Sequence, residues 1–268
     1  MKWSALVAAL LVCVVYNDMA FSPLVMAAPK AHLTSGEQAM AQGWQAWQRG
    51  AFAEAVRAWL AAADYYARAR QPQAQSTALT HLAQAYKALG QYRQTLHSLT
   101  TALQLAQQTK DRRQVAIVFE SLGQTYLITG PPEAAHSALQ NGLQLAREMG
   151  HAGLIAALLN DLGNVFASQR QYGEALDAYL ESVQRAEQSG ARALAGRALT
   201  NAAVASTQQG QSQAARAQLD RAREQMQGVE PSHDTAYDLI NIGLAYANLR
   251  PALPEAHARL TVLAGRPV

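Results

Sequence analysis

Cysteine is almost absent from this chain of 268 residues, in which Cys13 is the only one. A single thiol cannot form an intramolecular disulfide, so the fold must be stable without covalent cross-links. Cys13 also lies in the N-terminal stretch that, as argued below, cleavage after Ala27 would remove. Disulfide and thiolate chemistry are therefore excluded for a mature chain that begins at Ala28.

Motifs that mark catalytic and nucleotide-binding sites are missing as well. The chain has no G-x-S-x-G, H-E-x-x-H, C-x-x-C, G-x-x-x-x-G-K-S/T or G-x-G-x-x-G. No histidine stands four residues from another or at a plausible metal-ligand spacing, so surface or interface roles are the simpler interpretation. Asp161 beside Asn160, and Asp177 four residues before Glu181, offer acid groups, but a solvated helix face explains the latter pair better. We expect no enzymatic activity, no metal and no cofactor.

Charge is scarce and balanced. Charged residues make up 15% of the chain and the formal net charge is +3. Loss of residues 1–27 leaves that value unchanged, because Lys2 and Asp18 leave together. Arg and Lys are interspersed with Asp and Glu, which argues against nucleic acid as a partner. Abundant Ala, Leu and Gln with few β-branched runs favour an all-α fold.

The N-terminus has the layout of a secretory signal peptide over residues 1–27. Lys2 precedes an apolar run over residues 5–16, and Val25-Met26-Ala27 is an A-x-A-like cleavage site. The run is too short for a stable membrane span, and Val12 before Cys13 argues against a lipid anchor. We expect a secreted or periplasmic protein, with residues 28–35 as a short leader and no membrane span after cleavage.

An internal repeat of 40 residues organises the rest of the chain. Around Gly123 the apolar residues Phe119, Leu122 and Tyr126 form one helical stripe, and Gly130-Pro131-Pro132 then breaks the helix. A glycine inside a helix is best explained by close approach of a second helix, and Ala135 is the expected contact of Gly123. The small-residue column of the first helix is Gly43, Ala83, Gly123, Gly163, Ala203 and Gly243; its aromatic column contains Tyr86, Tyr126, Phe166 and Tyr246; the small column of the second helix contains Ala55, Ala135, Ala175 and Ala215.

The pattern L-G-x-x-Y, then G-x-Y-x-x-A, resembles the tetratricopeptide repeat. The resemblance implies a right-handed superhelical solenoid of about six helix-turn-helix units, and the period of 40 rather than 34 residues implies helices of roughly 16 to 18 residues. Residues 36–268 would form this solenoid, with repeats at about 36–71, 74–110, 112–150, 152–190, 192–230 and 234–268. The first repeat resembles those of secreted bacterial arrays that often continue into a CHAT protease domain, for which the sequence up to Val268 leaves no room.

Function in such an array comes from its surfaces, and the resemblance places the concave groove on the helix face opposite the packing stripe. Amides on that face would supply donors and acceptors for an extended peptide backbone, although amides are also ordinary solvated residues. Trp44 and Trp47 would be either binding anchors or covers for the open end of the first repeat. The groove candidates are Trp44, Trp47, Gln84, Lys87, Gln124, Asn160, Asn164, Asn201 and Asn241.

Three functions fit this pattern. The first is a non-catalytic scaffold that binds a protein or extended peptide in its groove. The second is a structural subunit of an envelope or secretion assembly that uses its caps and edges, including Leu260, Val262 and Leu263. The third, implied only by the resemblance, is an accessory partner of a CHAT-type protease. The sequence does not define the oligomeric state.

Overall fold

The computed structural model describes residues 34–249. The predicted signal peptide and the second helix expected for the sixth repeat, with Leu260, Val262 and Leu263, lie outside the described residues. No helix within residues 34–249 is long and apolar enough to cross a membrane.

Every regular element within residues 34–249 is an α-helix, which confirms the all-α prediction. Second helices begin at residues 52, 92, 132, 172 and 212, so the 40-residue period carries through to the structure. Most helices have 17 or 18 residues, as expected, while α1 has 14 and α10 has 15. The helices are α1 (Ser35–Gln48), α2 (Phe52–Arg68), α3 (Pro72–Ala88), α4 (Tyr92–Gln108), α5 (Arg112–Thr129), α6 (Pro132–Glu148), α7 (Ala152–Ser168), α8 (Tyr172–Ser189), α9 (Arg192–Gln208), α10 (Ser212–Met226) and α11 (His233–Leu249).

The helix ends follow from local sequence. Thr34 and Glu37 form a reciprocal capping box at the start of α1, which satisfies backbone N–H groups that have no helical partner. Pro72 and Pro132 occupy first turns, where the missing N–H of proline removes no helical hydrogen bond. The Asp111 side chain caps α5 by accepting from the backbone N–H of Gln114.

The turns within repeats lie seven residues after the small-residue column of the first helix, at the position that Gly130 holds in the third repeat. Gly50, Gly90 and Gly210 have left-handed backbones with φ between +71° and +75°, and Arg170 holds φ +62° at the equivalent turn. Gly130 differs, with φ −126° and ψ −175°. It precedes Pro131, and a residue before proline is driven into extended backbone.

Close approach of the two helices explains the glycines inside the first helices, but Ala135 was the wrong contact for Gly123. A Cβ added to Gly123 would lie 2.4 Å from Cγ of Leu139, one turn after Ala135 on α6. Ala135 is itself fully buried. The same spacing of 16 residues recurs, since Gly43 meets Trp59 and Gly163 meets Tyr179. The small column thus makes room for a bulky side chain of the second helix.

The other repeat columns also pack as structural residues. Ala83, Ala203 and all of the second-helix column, Ala55, Ala135, Ala175 and Ala215, are buried. Tyr86, Tyr126, Phe166 and Tyr246 are half-buried. Around Gly243, by contrast, no atom would lie within 4 Å of an added Cβ.

Apolar packing is divided along the stack rather than gathered in one centre. One cluster joins Leu139 of α6 with Leu158 and Leu162 of α7, and another joins Leu199 of α9 with Ile242 of α11. Each cluster takes residues from helices of neighbouring repeats, as expected of a solenoid stabilised by the sum of its interfaces. First helices also contact one another along the stack, through α3, α5, α7, α9 and α11.

Candidate functional site

The candidate site is the inner face, which we define as the polar side chains where consecutive first helices contact one another. Hydrogen bonds there join residues 34, 37 or 41 positions apart rather than 40, because a side chain reaches the next first helix one or two turns earlier, or one residue later. This offset brings different repeat columns together. Comparing equivalent positions of the repeats therefore cannot predict these contacts.

A polar relay crosses α3, α5 and α7. The Nζ of Lys87 donates to Oε1 of Gln124 at 2.5 Å, and Nε2 of Gln124 donates to Oδ2 of Asp161 at 2.8 Å. Gln124 is 4% exposed and Asp161 is 4% exposed, while Lys87 is half-buried. The side-chain oxygen and the side-chain NH2 group of Gln124 thus connect a cation to a buried carboxylate.

An asparagine cluster continues the relay to α9. Nδ2 of Asn201 donates to Oδ1 of Asn160 at 2.9 Å and contacts Oδ1 of Asn164 at 3.4 Å. The hydroxyl of Tyr179 donates to the same Asn164 oxygen at 2.8 Å. The amides of Asn160 and Asn164 approach Oδ1 of Asp161 at 3.4 and 3.5 Å, so the cluster and the relay share this carboxylate.

Burial sets the charge state of the relay. Burial raises the pKa of Asp161 to about 6, against the opposing effects of the Gln124 hydrogen bond and of the positive charges on Lys87 and Arg197. Burial lowers the pKa of Lys87 to about 8, while the negative charges of Asp161 and Glu120 favour its protonated form. The inner face therefore holds both a carboxylate and an ammonium that are easier to neutralise than in water.

A buried ion pair joins α9 to α11. Arg197 donates from Nε and Nη2 to the two carboxylate oxygens of Asp238 at 3.0 and 2.9 Å. Both side chains are almost fully buried, and Asn241 lies one turn further along α11, also buried. Sequence reasoning missed this pair because each residue, taken alone, looks like a surface charge; the 41-residue spacing was the available signal.

The first repeat carries an aromatic cluster. The Trp44 ring lies 5.5 Å from Trp59 and 4.7 Å from His81, and Trp47 lies 5.0 Å from Phe52. Burial lowers the pKa of His81 to about 4. Trp47 is only 8% exposed, and Trp44 is half-buried. These contacts place both tryptophans in the packing within the first repeat and against the second repeat, rather than at the open end of the stack.

The expected exposure of the groove amides is wrong for five of the six: Asn241 of α11 is buried, as are four others. Gln124, Asn160, Asn164 and Asn201 are buried and hydrogen-bonded to one another or to Asp161. Neighbouring first helices cover these side chains, and Asn164 also accepts a hydrogen bond from Tyr179 of α8, a second helix. Gln84 differs, since it is half-buried and contacts His81 through Oε1 at 3.3 Å.

The open part of the inner face lies near the C-terminal ends of the first helices. We call this the rim and define it as Lys87, Leu127, Val204 and Thr207, all half-buried. Within residues 34–249 no group of three or more His, Cys, Asp or Glu side chains is placed to hold a metal ion. Amides, hydroxyls and apolar side chains dominate the rim and its floor.

The residue pattern of the tetratricopeptide repeat matches residues 74–148 and 153–227, together more than half of the chain. The chain belongs to the tetratricopeptide repeat family. The match confirms the resemblance found in the repeat columns, and it spans the helices from α3 to α10.

Solved structures share this fold at low sequence identity. BtubC from P. vanneervenii is 17% identical with a TM-score of 0.58, over 88% of this chain and 95% of that one. A Rap protein complexed with competence and sporulation factor is 16% identical with a TM-score of 0.68, over 87% of this chain and 69% of that one. NprR in complex with its cognate peptide NprX is 16% identical with a TM-score of 0.66, over 87% and 67%. Comparison with curated proteins finds no match.

Proposed function

We propose that this tetratricopeptide repeat protein is a non-catalytic scaffold whose inner face binds a segment of a protein partner. The observation that carries the proposal is the buried network that ends at the rim: Gln124, Asp161 and the asparagines form its floor, and Lys87 is its half-exposed end. Each amide of this network can both donate and accept, as binding a peptide backbone requires, and a peptide would exchange its own hydrogen bonds for those that now join the side chains.

The fold relatives support the same class of partner. The Rap and NprR structures were solved with a bound factor and a bound peptide. Both are similar to this chain over most of its length, so a segment of extended chain is the ligand we propose here. The inner face needs no reacting group for that task.

The experiment uses peptides selected from a displayed library with residues 28–268 as bait, and calorimetry on the peptides that bind. Thr207→Trp places a large ring on the rim, and Thr100→Trp is its matched control on the exposed side of α4. Both hydroxyls donate to the carbonyl four residues earlier at 2.8 Å, so the two variants lose the same local bond. We expect at least a tenfold loss of affinity for Thr207→Trp and none for Thr100→Trp. Equal affinities would place binding elsewhere.

We further propose that the protein works in the cell envelope or outside the cell. The layout of residues 1–27 supports this, through Lys2, the apolar run and the Ala27 site. N-terminal sequencing of the protein from its native source should begin at Ala28. A retained Met1 in the cytosolic fraction would contradict it. The envelope-assembly and CHAT-accessory interpretations stay predictions.

A further inference from the structure

The first and the last described repeats touch each other. Phe52 is the first residue of α2 and His233 the first residue of α11, 181 positions later (233 − 52). Their rings meet edge to face, with centroids 5.5 Å apart and planes at 88°. A Cβ added to Gly50 would lie 3.5 Å from Cδ2 of the same histidine. We call this the end contact.

The end contact is anchored on one side and joined to a longer connection on the other. Phe52 packs on Trp47, which in turn packs 5.9 Å from Trp59 in the aromatic cluster of the first repeat. His233 follows residues 227–232, the longest connection between helices in residues 34–249, which contains Gly228 at φ +74°.

Curvature of the stack decides whether the end contact exists. Repeats in a solenoid contact mainly their neighbours, and small rotations at each interface add up along the stack. A rotation that is slight at any one interface separates the ends by a large distance. The end contact is thus the interaction that a change in overall curvature breaks first.

In this structure, in which the two ends touch, the middle of the inner face is completely buried. Every residue from Leu154 to Val165 of α7 is buried, and so is every residue from Leu194 to Ala203 of α9. Asn160, Asn164 and Asn201 lie within these segments. A peptide that bonds these amides needs the first helices to separate, which requires lower curvature.

We propose that the end contact holds the solenoid in a closed form, and that its opening controls access to the inner face. The second half of this inference rests on the proposed function, because it concerns the same binding face. A ligand that binds only the open form has an apparent Kd equal to its intrinsic Kd divided by the open fraction. Weakening the end contact therefore raises affinity without altering any residue that touches the ligand.

The test for closure needs no ligand. Paired spin labels at Ala53→Cys and Ala236→Cys, both exposed, report the distance between α2 and α11 once Cys13, the only native cysteine, is changed to Ser. We expect a narrow, short distribution in the parent and a second, longer component in Phe52→Ala. Tyr172→Ala is the matched control, because Tyr172 begins α8 as Phe52 begins α2. It should leave the distribution unchanged.

A second variant keeps the test decisive if Phe52→Ala unfolds the protein. His233→Ala changes an exposed side chain at the other half of the contact and should lengthen the distance in the same way. Identical distributions in the parent, Phe52→Ala and His233→Ala would overturn the closed form. Calorimetry with the library-selected peptides then tests whether opening controls access to the inner face. Phe52→Ala should bind these peptides up to about tenfold more tightly. Longer distances without tighter binding would overturn the claim that opening controls access to the inner face, but not the closed form itself. The proposed function would also stand in that case if Thr207→Trp blocks binding.

Discussion

Leu139 occupies the space that a side chain at Gly123 would need, with its Cγ 2.4 Å from the position of a Cβ on that glycine. Gly123→Ala should therefore destabilise the protein by about 1 to 3 kcal/mol through overpacking, despite the better helix propensity of alanine. Urea unfolding measures the change. The double variant with Leu139→Ala should show a strongly favourable coupling energy, because the smaller side chain removes the clash.

Gly173→Ala is the matched control for this packing prediction. Gly173 also lies in a helix, α8, but an added Cβ would meet only Nε2 of Gln209 at 3.7 Å, an ordinary contact. Alanine there should leave the free energy of unfolding unchanged or raise it by about 0.4 to 1 kcal/mol. If both glycines respond alike, the close approach at Gly123 is not what matters.

Lys110 adopts φ +55° at the turn between α4 and α5, a conformation that glycine occupies without steric strain. Lys110→Gly should raise the free energy of unfolding by about 0.5 to 1 kcal/mol. Gly90→Ala is the reverse change, at φ +71° with no atom within 4 Å of the new Cβ, and should lower it by a similar amount. Thermal midpoints of the two variants moving in the same direction would contradict this.

Arg197 and Asp238 form the buried ion pair between α9 and α11. Arg197→Met should destabilise by about 3 to 5 kcal/mol, because it leaves a carboxylate buried without its cation. Adding Asp238→Leu removes that carboxylate and should recover most of the loss. Denaturant unfolding of the two variants compares these values; no recovery in the double variant would mean that the pair's geometry, rather than its charge, stabilises the interface.

Asp161 predicts a pH dependence of stability. Its pKa in the folded protein, about 6, lies above the ordinary value of 3.8, so the folded state binds more protons between these values. Stability contributed by this group is thus full at the acid end and lost as the pH rises through 6. Asp161→Asn removes the titration, so the free energy of unfolding of the variant should rise relative to that of the parent as the pH increases from 4 to 6. Exposed Asp177→Asn serves as the control, and a pH-independent difference between parent and Asp161→Asn would contradict the account.

The structure also changes how the amides should be tested. Replacing Asn160, Asn164 and Asn201 together by Asp would add buried carboxylates beside Asp161, because these side chains already share hydrogen bonds. Loss of binding in that triple variant would reflect loss of the fold. Rim variants avoid this, which is why Thr207→Trp is preferred.

Repetition made the fold predictable. Columns of residues that recur every 40 positions indicate helix pairs, their turns and their buried faces, and Gly123 indicates a close approach of two helices. The same columns do not show which residue of α6 fills the space, and it is Leu139 rather than the expected Ala135. Burial of Asn164 was missed because a helical wheel describes one helix, while the neighbour that covers it is 37 residues away. The end contact of Phe52 with His233 depends on curvature summed over five repeats, which no local pattern contains.

Hydrogen–deuterium exchange with and without a selected peptide tests the central claim most directly, because it maps the bound surface in the unmodified chain. Slower exchange should appear in α3, α5 and α9, the inner helices that carry Lys87, Leu127 and Thr207, while α4, α6 and α8 should not change. Protection confined to α4, α6 and α8 would contradict the claim that the inner face is the binding surface.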